Sequence, residues 1–184
     1  MKTTLIIVLA LGALALLAFL YRHHRRAAPS EPVVHVRNEF EFTVHAPYQV
    51  AAPLFGAEKE RAWAGSHWDP HFLYPQPAQD MQGAVFTIRH GPRRAYWINT
   101  LFDMKARHVQ YVYVIADAMV VLIDVRLAEL DPANTRVNVA YERTALNPEA
   151  NEQVKELGNS DRESGKEWGT AINNYLVKQK VVPR

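Results

Sequence analysis

The chain contains no cysteine among its 184 residues. This excludes a disulfide scaffold, a thiolate metal centre and a cysteine nucleophile, and it fits a reducing compartment. Glycine is scarce, with 8 residues, and neither a GxGxxG nor a Walker phosphate loop occurs. GxSxG and HExxH are absent as well, so no common hydrolase or zinc-protease motif is present. No strong excess of either charge sign exists: the formal net charge is +2. Hydrophobic residues make up 48% and charged residues 22%, which excludes a collagenous, low-complexity or wholly disordered chain. The length suits one domain.

Those averages hide an uneven distribution. Leu5 to Leu20 reads LIIVLALGALALLAFL, without a charge or a polar face. With its neighbours, residues 4–21 approach the roughly 17–25 residues that a membrane helix requires. A cleaved signal peptide is the rival, but it calls for a small-x-small site after the apolar core. Here the core meets Tyr21-Arg22-His23-His24-Arg25-Arg26, a stop-transfer flank. The flanks favour an uncleaved single-pass anchor over 1–26, and the excess of Arg on the far side leans the rest of the chain towards the cytoplasm. Lys2, Arg22, Arg25 and Arg26 belong to this segment and no acid does, so without it the formal charge falls from +2 to −2. A general nucleic-acid binder is therefore not expected.

A linker follows over 27–32, with Pro29 and Pro32. The remainder, 33–184, is read as one domain. Val33 to His45 has strand alternation, with Phe40, Phe42 and Val44 against Glu39, Glu41 and Thr43. Tyr48 to Gly65 reads as two helical pieces broken near Gly56. Pro70, Pro75 and Pro77 then predict an irregular, ring-rich segment. Five strand-like runs follow: Gly83–His90, Ala95–Asp103, Arg107–Ala116, Met119–Glu129 and Thr135–Thr144. Their short connectors imply antiparallel hairpins. Asn147-Pro148-Glu149 is a helix start, and Ala150, Val154, Leu157, Trp168, Ile172 and Tyr175 fall on one face of a long C-terminal helix. The polar stretch Gly158 to Gly165 suggests a kink or a short break.

This order, with Glu60-Arg61-x-Trp63-x(4)-Trp68-x-Pro70-x-Phe72-x-x-Pro75, Gly83-x-Val85-Phe86-Thr87, Trp97-x(5)-Asp103, Tyr141-x-x-Thr144-Ala145-Leu146 and Trp168-x-x-Ala171-Ile172-x-x-Tyr175-Leu176, resembles the START-like or SRPBCC superfamily, which includes polyketide cyclase/dehydrase-like proteins. The resemblance covers Phe40 to Leu176. It implies an α+β helix-grip fold: a curved antiparallel sheet of six to seven strands wrapped on the long C-terminal helix, here preceded by one N-terminal transmembrane helix. It also implies a cavity between sheet and helix that takes a hydrophobic or lipid-like small molecule, and it brings no cofactor.

The residues offer walls for such a cavity. Tyr111, Tyr113 and Tyr141 share inward rows with Val109, Ile115 and Val139, and Phe86, Ile88 and His90 share another. Trp63, Trp68 and Trp97 complete the aromatic set, and Arg61 offers a clamp for an acidic ligand end. Against this stand plain core packing for the rings and a local ion pair with Asp69 for Arg61. His67 and His71 are four apart around Asp69, but Pro70 breaks the helix that would join them and no third ligand is nearby, so no metal site is expected. Hydrophobic ligand binding is the primary expectation. The alternatives are a cyclase or dehydratase-type enzyme using His90 and a cavity tyrosine, and a non-catalytic membrane scaffold.

Overall fold

A computed structural model describes residues 31–179. The expected anchor over 1–26 and the first part of the linker lie outside the described residues. Among the described residues no helix is long and apolar enough to cross a membrane.

Seven strands form one antiparallel, curved sheet. They are β1 (His35–Val44), β2 (His71–Tyr74), β3 (Val85–His90), β4 (Arg93–Asp103), β5 (His108–Ile115), β6 (Met119–Asp131) and β7 (Asn134–Ala145). Their spatial order is β1-β7-β6-β5-β4-β3-β2. From β2 to β7 each strand lies beside its chain neighbours, and from β3 onward the short turns demand it. Two helical turns, α1 (Tyr48–Ala51) and α2 (Ala57–Glu60), lie in the connection from β1 at one edge to β2 at the other, with a 3-10 turn (Ala52–Phe55) between them. Helix α3 (Asn151–Lys178) closes the fold after a 3-10 turn at Pro148–Ala150. Asn147 caps that turn, its Oδ1 accepting from the Ala150 N–H at 3.0 Å.

The period-2 patterning decides which side of each strand is covered. In β6 the row Met119, Val121, Ile123, Val125 and Leu127 is buried, while Asp124 and Arg126 point to the other face. In β7 the buried row is Thr135, Val137, Val139, Tyr141, Arg143 and Ala145. The registers Ile123 with Tyr141 and Val125 with Val139 bring these rows side by side.

Two expectations are corrected. The segment after Pro70 is not irregular: His71–Tyr74 is the edge strand β2. Phe72 pairs with Phe86 and stacks on it at 5.2 Å, and that burial outweighs the flanking prolines. Nor is the C-terminal helix broken between Gly158 and Gly165; α3 runs unbroken for 28 residues. Gly158, Asp161 and Gly165 of this polar stretch are buried, the glycines facing β1, while Asn159, Ser160, Arg162 and Glu163 stay exposed. A Cβ on Gly158 would meet Val36 Cγ2 at 2.9 Å, and one on Gly165 would meet Phe40 Cδ2 at 2.8 Å. The helix therefore lies closer to β1 than a helix carrying side chains there could. Polar ties fix its register: Asn38 Nδ2 donates to the Gly158 carbonyl at 2.9 Å, and Asn173 Nδ2 donates to the Thr43 carbonyl at 2.9 Å while its Oδ1 accepts from the His45 N–H at 2.8 Å.

Alanine favours a helix over glycine by about 1 kcal/mol at an exposed site. At Gly165 the contact with Phe40 reverses that sign. Gly165→Ala should lower the thermal midpoint by a few degrees, consistent with overpacking costs of about 1–3 kcal/mol. Calorimetry of the purified variant checks this, and a raised midpoint would show that the helix does not need the close approach.

Candidate ligand cavity

The close seat of α3 on β1 and β7 leaves the concave side of β3, β4 and β5 less covered. A cavity of about 800 Å³ opens there. This lies within the usual range of roughly 300–1,000 Å³ for small-molecule sites. Ile88, Trp97 and Tyr113 of the sheet line one side, and Leu157, Trp168 and Ala171 of α3 line the other. Trp63 and Trp68, from the chain following α2, line it as well.

The rings brace one another. Trp97 stacks on Tyr113 at 4.2 Å and meets Trp68 edge-on at 5.4 Å, while Trp63 meets Trp168 edge-on at 5.8 Å. The Trp63 indole donates to the Leu54 carbonyl at 2.8 Å, and the Trp68 indole donates to the Ala57 carbonyl at 2.9 Å. The buried Trp97 indole N–H has no hydrogen-bond partner among the described residues. An unpaired buried donor costs about 1–3 kcal/mol, which makes this wall hospitable to an acceptor.

Three groups inside the cavity carry charge chemistry. Arg143 and Asp161 form a buried ion pair, Nη2 to Oδ1 at 2.5 Å, with Asp161 only 1% exposed. Arg143 Nη1 also donates to the Tyr113 hydroxyl at 3.0 Å, and the guanidinium lies 4.6 Å from the Tyr141 ring centre. Burial opposes the Arg143 charge, but Asp161 more than offsets this and raises its pKa. Burial pushes the hydroxyls of Tyr113 and Tyr141 up, so both remain protonated donors.

Glu60 stands apart. It is 4% exposed and lines the cavity, and its side chain contacts a single described polar partner, the Tyr111 hydroxyl, which donates to Oε1 at 3.4 Å. Burial, reinforced by the nearby Asp80 charge, pushes its carboxyl up to about 8, against the lowering effect of the Tyr111 hydrogen bond. The acid is thus largely protonated at neutral pH. Asp80 also fixes the turn that carries it: its carboxylate accepts from the Glu58 and Lys59 N–H groups at 2.9 and 3.2 Å. Gly56 permits that approach, since a Cβ there would sit 2.2 Å from the Asp80 carboxyl carbon.

Of the residues expected at the site, Trp63, Trp68, His90, Trp97, Tyr113 and Tyr141 line the cavity, and Arg61, Phe86 and Tyr111 do not. Arg61 is instead held by Glu58 at 2.9 Å, by Asp69 at 2.8 Å and by the Pro70 carbonyl. These contacts make it a brace for the loop and correct its role as a ligand clamp. Phe86 is packed between Phe72 and Trp97, with no exposure at all. Tyr111 is buried beside the cavity and reaches it only through Glu60. His90 is exposed at the rim and stacked on Tyr113 at 5.7 Å. Partial burial, with Arg143 and His67 nearby, lowers its pKa. Asp103 caps its own turn, accepting from the Lys105 and Ala106 N–H groups at 2.9 Å. His108 pairs with Asp124 at 2.6 Å on the outer face of the sheet. No group of three or more His, Asp or Glu able to hold a metal occurs among the described residues.

Glu60, Arg143 and Asp161 were not expected at the site, although the sequence carries a signal for each. Arg143 continues the inward row Val137, Val139, Tyr141 of β7. Asp161 continues the buried helical spacing Val154, Gly158, Asp161, Gly165. Glu60 follows Ala57 and precedes Trp63 at three-residue steps, which places it on a buried face.

No family model matches the chain, and no curated protein matches it by sequence. Solved structures do. Truncated norcoclaurine synthase from Thalictrum flavum matches with a TM-score of 0.60 at 11% identity, over 82% of this chain and 99% of that one. An uncharacterised protein from Rhizobium leguminosarum matches with a TM-score of 0.57 at 13% identity, over 80% and 97%. Ara h 8.0201 matches with 0.53 at 14% identity, over 79% and 99%. At these identities the likeness establishes the fold: seven antiparallel strands gripping a C-terminal helix, the helix-grip architecture.

Two outcomes follow from the buried acids. Asp161→Ala leaves the Arg143 charge buried without its partner and should destabilise the protein by about 3–5 kcal/mol in urea unfolding. For Glu60 the folded-state pKa lies above the unfolded value, so the folded state holds the extra proton and stability falls as pH rises between about 4.5 and about 8. Glu60→Gln removes that loss. Its thermal midpoint should therefore approach the wild-type value near pH 4.5 and exceed it increasingly towards pH 8.

Proposed function

We propose that this protein binds an apolar small molecule in the cavity between the sheet and α3. The observation that carries the reading is the 800 Å³ cavity itself, lined by Trp63, Trp68, Trp97 and Trp168 and bearing a few converging polar groups. Aromatic walls supply apolar burial at roughly 25 cal/mol per Å², and the polar groups set orientation. Arg89, His90 and Arg93 at the β3–β4 hairpin form part of the rim. The strand registers place this hairpin at the same end of the sheet as the start of β1.

The anchor reading belongs to the same proposal. An inserted segment over 4–21 retains the cavity at a membrane, where lipid-like ligands are concentrated, and the basic flank after it puts the domain on the cytoplasmic side. Support comes from the apolar run Leu5 to Leu20 and from Arg22, Arg25 and Arg26. Alkaline carbonate extraction should leave the full-length chain in the membrane pellet, and a C-terminal reporter active only in the cytoplasm should be active; a chain released by carbonate has no such anchor.

A second reading, acid–base catalysis of the cyclase or dehydratase kind, is favoured by one specific observation. A protonated carboxyl, Glu60, faces the cavity with tyrosine hydroxyls nearby, whereas His90 sits at the exposed rim. Glu60 therefore replaces His90 as the acid of that reading.

The binding reading is tested by filling the space. Ala171→Trp places an indole on the α3 wall. Full-length protein in mild detergent should bind an uncharged apolar fluorophore such as pyrene, and the variant, folded by circular dichroism, should bind it at least about tenfold more weakly. Equal binding by the two, or none by the wild type, would sink the proposal.

A further inference from the structure

Glu60 is a carboxyl group inside an aromatic chamber with no cation of its own. Trp63 follows it by one helical turn, its N–H donating to the Glu60 carbonyl at 3.0 Å. The Tyr111 ring meets Trp97 edge-on at 6.4 Å, and Trp97 meets Trp68 at 5.4 Å. No Lys, Arg or His lies within ion-pair distance of Glu60 among the described residues.

Among the described residues the one buried arginine, Arg143, is committed to Asp161 and Tyr113. The ligand-facing groups of the cavity thus include a lone acid and several ring faces. That combination suits one ligand charge. Ring faces attract a cation through their quadrupole, more strongly the less water reaches it, and an ionised carboxylate supplies its counter-charge. An anionic head would have to leave Glu60 protonated and, the Trp97 N–H apart, would meet ring faces whose quadrupole repels it.

We propose that the cavity takes a ligand with a basic nitrogen, an apolar or aromatic amine whose ammonium sits against Glu60 among the tryptophan and tyrosine rings. The proposal rests on the binding reading above and names its ligand class. It also makes binding a proton exchange. In the empty site burial keeps the carboxyl protonated up to about pH 8. An arriving ammonium ionises it, and the proton leaves to solvent.

The charged and titratable groups around it come from every packed element. Asp80, in the connection from β2 to β3, raises the acid's pKa, and Tyr111 of β5 donates to it. Glu60 in turn raises the pKa of Tyr141 on β7. Arg143 of β7 and Asp161 of α3 balance one another, and His67, His90, Arg89, Arg93 and Glu167 lie at the cavity's exposed edge. The rim arginines oppose an entering cation, but they face solvent, which screens them over about 8–10 Å.

Three probes of one shape test this: phenethylamine, phenethyl alcohol and 3-phenylpropionate, titrated by isothermal calorimetry into full-length protein in mild detergent, with the apolar fluorophore as a fourth. The amine should bind at least about tenfold tighter than the alcohol, and the carboxylate weakest. Amine affinity should rise with pH between about 6 and 8, by up to about tenfold per unit, because ionised Glu60 is the binding form. Proton release should appear as a dependence of the heat on the buffer's ionisation enthalpy. Glu60→Gln should lose both the amine preference and the pH slope while keeping alcohol and fluorophore binding. The wild-type comparisons need no variant, so a failure of Glu60→Gln to fold would leave the test intact. Equal affinity for amine and alcohol, or a pH-independent amine affinity, overturns this proposal alone if the fluorophore still binds. If neither the fluorophore nor any probe binds, the ligand-binding reading falls and this proposal falls with it.

Discussion

The placement of α3 against β1 governs the rest of the molecule. Gly158, Gly165 and Gly169 face Val36, Phe40 and Phe42, and at each of these positions even a Cβ would crowd the strand. Removing the side chains lets helix and strand approach closely along the first edge of the sheet, and Asn38 and Asn173 fix that register through backbone hydrogen bonds. A helix drawn to one edge covers β1 and β7 well and the far half of a curved seven-stranded sheet poorly. The rings of β3, β4 and β5 then face space that no part of α3 fills. The cavity is thus a consequence of asymmetric packing.

The interior charges divide into two kinds, with different meanings. Arg143 and Asp161 are buried together, and three hydrogen bonds join them. Such a pair offsets its own desolvation and asks nothing of a ligand, although its presence on the cavity wall keeps that wall polar. Glu60 has no such partner. Its only described side-chain hydrogen bond is a long one from Tyr111, so the molecule holds it by protonation. A group kept neutral by its surroundings responds to whatever charge enters beside it, which makes it the chemically open position in the cavity.

Much of the fold was legible because hairpin strands advertise themselves. The runs from Met119 and Thr135 alternate strictly, and their inward rows are the observed ones. Edge strand β2 was hidden because it is four residues long and bounded by prolines; its pairing is decided by Phe72 against Phe86, a contact that no local pattern encodes. The polar middle of α3 misled for a related reason. Glycine and aspartate lower helix propensity locally, whereas their value lies in the tertiary contacts with Phe40 and Arg143. At the cavity the large rings could be placed from strand parity, yet Arg143 on the same row was passed over because an arginine is rarely buried. Parity was the better guide, since Asp161 was waiting on the facing helix.

The aromatic walls by themselves do not distinguish a carrier from an enzyme, because both need apolar burial. Glu60 does distinguish them, through the state in which it works. As a general acid it must arrive protonated and give its proton to a neutral ligand in the transition state. As a counter-ion it must already be ionised when the ligand is seated. Burial beside Asp80 sets the first state as the resting one at neutral pH, and there a cationic ligand supplies the free energy to reach the second. In the proposed site the ligand's own charge therefore selects which role Glu60 can take. A neutral ligand meets an acid, and an amine meets a carboxylate that cannot donate.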